Sequence, residues 1–132
     1  MSDLRQRFYI EDSPIRGEVV HLEEALQTIL AQRDYAPAIQ VLLGEMLSAT
    51  ALLASTLKIK GRISLQIQAS GTLQWAMAEC NHLGEVRALA DYESDPIFEH
   101  AEDSSTVFKT LVGPVLFINI EPEFGERYQG IV

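Results

Sequence analysis

The stretch PAIQVLLGEMLSATALLASTL, residues 37–57, decides the fold. Between Ala38 and Leu57 the only charge is Glu45. Leu42, Met46, Ala49, Leu53 and Leu57 recur at steps of three and four, which is one face of a helix. Leu43, Leu47 and Leu52 widen that face until most of the circumference is apolar, so the helix must be buried on several sides. At about 1.5 Å per residue the run is roughly 30 Å long, the diameter of a small domain and also the thickness of a bilayer core. Gln40, Glu45, Ser48, Thr50, Ser55 and Thr56 interrupt it too often for a membrane span. It reads as a soluble core helix from Pro37 to Lys60. Pro37 suits the first turn, Lys58 and Lys60 sit at the negative end of the macrodipole, and Gly61 has the character of a C-terminal cap. Gly44, Ser48, Ala51 and Ser55 form a stripe of small residues against which a sheet or second helix is expected.

Outward from this helix the period changes. On the N-terminal side, Arg7–Glu11 and Ile15–Leu22 read as strands joined by the turn Asp12-Ser13-Pro14, and Gly17 marks a bulge or a close approach. Glu23–Gln32 is amphipathic, with Leu26, Ile29 and Leu30 on one side and acids in its first turn. On the C-terminal side, Ile63, Leu65 and Ile67 alternate with polar residues, as do Leu73, Trp75 and Met77 after the turn Ser70-Gly71-Thr72. Glu85–Ala90 completes an antiparallel meander. Asp91–Ser105 holds six acids and no Lys or Arg; it reads as a solvated loop or, because Pro96, Ile97 and Phe98 interrupt it, as a mobile acidic flap. Ser105 is placed to cap a short helix through Val112. Val115–Glu121 reads as a buried strand, and Arg127 onward as a last strand with an edge to cover. The expected architecture is α+β: an antiparallel sheet on a long buried helix plus a shorter amphipathic one, in a single domain spanning residues 1–132.

The composition narrows function. A net charge of −9 disfavours nucleic acid and anionic membrane as partners. One cysteine, Cys80, excludes an internal disulfide and any multi-cysteine zinc site. The N-terminal residues show no secretory h-region, so a cytoplasmic location is expected. Cys80 and His82 could make an imidazole-activated thiolate, but no third member accompanies them, and a small buried thiol beside a turn histidine is the simpler account. His21 and His100 are isolated, so no histidine metal site is expected. Glu121, Glu123 and Glu126 surround a turn without the spacing of a calcium loop. Lys109-Thr110 lacks the glycine-rich lead of a phosphate loop, and the helix end accounts for Lys58, Lys60 and Arg62 without a ligand.

Several stretches, in order and spacing, resemble the redox-regulated heat-shock holdase family, the 33 kDa chaperonin. They are Ile15-Arg16-Gly17-Glu18-Val19-Val20, Leu47 to Lys58, Phe108-Lys109-Thr110-Leu111-Val112-Gly113, Glu121-Pro122 and Gly125 to Val132. The resemblance implies the N-terminal core domain of an ATP-independent chaperone that holds unfolding proteins under oxidative or heat stress and serves their refolding. It also implies a dimer and, in the family, a C-terminal zinc domain with four cysteines. None of those cysteines is present, so no cofactor is expected on these residues, and the family's core domain is expected to extend past Val132. Unfolded client proteins are the expected partners. Trp75, Met77 and Phe98 are the candidate client contacts, although the bulk of Trp75 favours the core. Arg127, Tyr128, Gln129, Gly130, Ile131 and Val132 are the candidate dimer or strand-exchange segment. A thiol-dependent enzyme using Cys80 and an inert structural fragment are the rival readings.

Overall fold

The structure, a computed structural model of the chain, describes residues 3–58, 60–100 and 104–132. In chain order the elements are β1 (Leu4–Tyr9), β2 (Arg16–His21), α1 (Glu23–Leu30), α2 (Pro37–Thr56), β3 (Gly61–Ser70), β4 (Leu73–Asn81), β5 (Val86–Tyr92), α3 (Ser105–Lys109), β6 (Val112–Pro122) and β7 (Tyr128–Ile131), with a 3-10 turn at Pro96–Glu99. Strands β5-β4-β3-β6-β7 form one antiparallel sheet, and β1-β2 form a separate hairpin. The class is α+β, as the alternating and helical periods predict.

Helix α2 lies across the inner face of the sheet. Ala38, Ile39, Leu42, Leu43, Met46 and Leu47 are buried there, each large side chain contributing about 1.5–3 kcal/mol by leaving water. Among the described residues it is the one helix long and apolar enough to cross a bilayer; here one side of it packs on the sheet, while Leu53 stays 40% exposed. Tyr92 Oη accepts a hydrogen bond from Ala36 N at 2.7 Å, capping α2 where no side chain of the helix does so. The far end differs from expectation. The helix stops at Thr56, because Ser55 and Thr56 turn their hydroxyls back onto Leu52 O and Leu53 O, both at 2.7 Å, satisfying terminal carbonyls. Lys58 and Lys60 therefore lie beyond the helix. Gly61 is not its cap; it opens β3 at φ 153°, where a Cβ would run into the Glu121 carbonyl.

The part of the floor under α2 that β4 and β5 supply is largely alanine. Ala76 and Ala78 of β4 and Ala88 and Ala90 of β5 are 0–2% exposed. Methyl groups let the helix come close, so small residues are the ones buried. A register shift between Leu73 and Trp75 decides which side chains these are. Leu73 points inward, but the extra residue reverses the alternation, so Ala76, Ala78 and Cys80 face α2 while Trp75 and Met77 face out, half-buried.

The acidic segment is no flap where it is described. Asp95 accepts from Ile97 N at 3.1 Å and from the Thr72 hydroxyl at 3.3 Å. Phe98 is 0% exposed and meets Tyr92 edge-on at 5.9 Å, and Tyr92 in turn stacks on Tyr35. Phe98 is thus an anchor in the core, and its candidacy as a client contact is withdrawn. Glu102 and Asp103 lie outside the described residues. Helix α3 is shorter than expected, and Ser105 does not act as its cap: the cap position is Ser104, whose hydroxyl bonds Glu45 Oε2 at 2.9 Å instead of the helix backbone. Arg127 precedes β7 and pairs with Glu121 at 3.4 Å.

Candidate functional site

The register fixes what the outer face of the sheet presents. Directly opposed residues share a face, so Ile131, Phe117, Gln66, Met77 and Leu89 form one row across five strands, and Val115, Gln68, Trp75 and Asp91 form the next. The helices pack on the other side, and among the described residues no element covers these rows. Ile131 is 65% exposed, and the remaining apolar members are half-buried by one another.

Toward the other end the same face is charged. Arg62 bonds Glu121 at 2.6 Å and approaches Glu79 at 3.2 Å, and Glu79 pairs with Arg87 at 3.2 Å. The hydrogen bond to Glu121, then the charges of Glu79 and Glu121, hold the Arg62 guanidinium above its ordinary basicity. The face is therefore split between an ionic lattice and an apolar strip that includes Trp75 and Met77. Such a strip can take apolar side chains by burial alone, without directional chemistry. Edge strand β7 borders it, with Tyr128 62% exposed.

A second apolar feature was not legible in the sequence. Where α2 gives way to β6, a slot of about 580 Å³ opens between the helix and the sheet, lined by Met46, Ala49, Ile67, Phe108, Leu116 and Val132. The small-residue stripe on α2 also behaves only partly as expected. Gly44 takes Leu26 of α1 close against it, and beyond that contact the two residues and Ser48 line an open groove of about 870 Å³ with Leu30, Val41 and Leu52.

Cys80 is 1% exposed. Burial pushes its thiol pKa up, against a smaller opposing pull from Arg5. His82 Nδ1 accepts from Gly61 N at 3.0 Å, and no hydrogen bond joins the ring to the thiol. This is the reverse of an activated nucleophile. The donors do not suit a zinc ion either: a structural site takes four Cys or His ligands, Cys80 is the single thiol, and among the described residues no three His, Cys, Asp or Glu side chains converge.

A family model described as Hsp33 protein matches residues 3–132. The chain belongs to the Hsp33 family. Curated relatives named 33 kDa chaperonin include those of Hahella chejuensis, 44% identical over 99% of this chain, Ectopseudomonas mendocina, 42% over 100%, and Vibrio vulnificus, 40% over 99%. The chain spans 43–44% of the length of these Hsp33 relatives. A crystal structure of the 33 kDa chaperonin (heat shock protein 33 homolog) from Thermotoga maritima superposes with a TM-score of 0.81 over 97% of this chain and 44% of that one. At 18% identity that Hsp33 likeness speaks for the fold. The family and the α+β class expected from the sequence both hold.

Proposed function

We propose that this chain contributes the client-holding core of an ATP-independent chaperone: it captures apolar segments of unfolding proteins under heat or oxidative stress and keeps them from aggregating until they refold. The observation that carries the reading is the uncovered apolar strip around Trp75, Met77, Leu89 and Phe117 on the sheet. Holding requires no bond to be made or broken, only apolar surface that an extended segment can cover. The net charge of −9 keeps loaded complexes apart. Its partners in this reading are unfolded proteins, not nucleic acid or membrane, in the cytoplasm. The reading includes no catalysis and no cofactor on these residues, and the zinc-linked redox control that the family resemblance implies does not run through them.

The same reading includes a homodimer formed at β7. Among the described residues Tyr128 to Ile131 pair with β6 alone, and an open edge of this kind is a template for a second strand. Light scattering of a heat-unfolded client tests the holding role. The 132-residue chain is expected to suppress aggregation near equimolar ratio, and Trp75→Ser with Met77→Ser to lose most of that effect while remaining folded. No suppression at several-fold excess would leave a structural fragment.

A further inference from the structure

The β1-β2 hairpin is inside out. In an ordinary antiparallel pair with one solvated side, polar residues face water. Here the register places Leu4, Phe8 and Val19 on one side together with Gln6 and His21, continued at the turn by Ile10 and Ile15. The five apolar members are 46–56% exposed. The other side is mostly charged and its base faces the body: Arg7 bonds Glu18 at 2.9 Å and Ser55 O at 2.9 Å, and Arg5 and Val20, with Leu4, close a cavity of about 220 Å³ over Cys80, while Tyr9 near the turn stays 69% exposed. The hairpin is fixed in this orientation at its base, where both oxygens of Asp3 accept from the first turn of α1, from Glu24 N at 2.8 Å and Ala25 N at 3.0 Å. The Phe8 ring lies against Gly17, where any Cβ would overlap it, so the apolar side is flat.

We propose that this face is a docking strip for an extended apolar segment flanked by Lys or Arg; the proposal rests on the holdase reading and names the kind of segment held. Two observations choose this occupant over a second copy of the chain. The first is size. Two six-residue strands make a ribbon about 20 Å long and about 10 Å wide, roughly 200 Å² in plan. A stable dimer needs about 800 Å² per partner, whereas one strand of about six residues covers the ribbon. The second is charge. Residues 4–21 hold three arginines and three acids, so the whole net charge of −9 lies elsewhere, and two copies brought together here repel. Acids stand at both ends of the ribbon, Glu11 and Asp12 at the turn and, at the base, Glu24 beside Glu23, which lies 3.5 Å from His21. They sit where the basic flanks of a docked segment would fall.

Fluorescence anisotropy with two labelled peptides tests this. Both carry the same six-residue Val/Ile/Phe core, one with two Lys at each end and one with two Glu. The full chain is expected to bind the Lys-flanked peptide at least tenfold more tightly at low salt, with the gap closing in 0.5 M NaCl. Val19→Asp should weaken that peptide at least fivefold. Val19→Thr, which keeps the shape and so the fold, should weaken it about two- to threefold. Equal affinity for both peptides, or unchanged binding by both variants, overturns the proposal. So does sedimentation showing a dimer that Val19→Asp dissolves, since the occupant is then a second copy. If the wild type suppresses aggregation and the hairpin variants bind and suppress as well as it does, the strip is refuted and the holdase reading stands. If the wild type binds the Lys-flanked peptide through Val19 but suppresses no aggregation, the reverse holds.

Discussion

Replacing Phe98 with alanine removes a ring that has no exposed surface and that braces Tyr92 edge-on at 5.9 Å. Loss of a buried Phe costs about 3–5 kcal/mol through transfer and the cavity left behind, and the aromatic contact is part of that loss. Tyr92 also holds the start of α2 through Ala36 N, so a loosened Tyr92 adds to the damage at the helix on which the core is built. Domains of this size are stable by about 5–15 kcal/mol, so the variant should stay folded with a much reduced margin. With a urea slope of about 1–3 kcal/mol per molar, the unfolding midpoint followed by circular dichroism should fall by about 2 M. Phe98→Leu should recover most of it, leaving a deficit of about 1–1.5 kcal/mol. A midpoint within about 0.3 M of wild type for Phe98→Ala, together with lost client holding, would refute the assignment of Phe98 to the core and restore it as a contact.

Three further outcomes follow from the same geometry. Asp3→Ala should cost about 1 kcal/mol in urea unfolding by uncapping α1, with Asp3→Asn recovering part of it. Gly61→Ala should cost about 2–3 kcal/mol, because the new methyl meets the Glu121 carbonyl at a positive φ; a neutral result would show that β3 and β6 separate freely there. Cys80 should react with a disulfide reagent far more slowly in the native state than in urea. Its folded pKa lies above that of the free thiol, so its contribution to stability is complete below the unfolded pKa. That contribution declines as pH climbs through the higher folded value, and a stability profile rising across that alkaline window would contradict the burial.

Much of the architecture was legible because it rests on period. The α2 run and the alternation of Ile63, Leu65 and Ile67 each leave one arrangement that hides their apolar side. What escaped depends on single residues or on distant ones. One extra residue between Leu73 and Trp75 exchanges the two faces of β4, and nothing in local composition announces it. Bulk is a poor guide to burial here, because β4 and β5 offer α2 mainly alanine and Trp75 is half outside. Asp3 caps a helix twenty-one residues away, a pairing that only the folded hairpin creates. Lys58, Lys60 and Gly61 have the composition of a helix end, whereas the hydroxyls of Ser55 and Thr56 set it. Of the candidate contacts, Trp75 and Met77 share a face as their spacing of two requires, and Phe98, in a segment without period, had no such constraint.

The alanine carpet has a consequence for how the slot beside β6 could be tuned. Because four methyl groups set the height of α2 above β4 and β5, any larger side chain there acts as a shim under a stiff rod. Lifting the rod on that side alters the gap on the other, far from the altered residue. Ala88 and Ala90 are therefore remote adjusters for the aperture lined by Leu116 and Val132, so its width can drift without any change to its own walls.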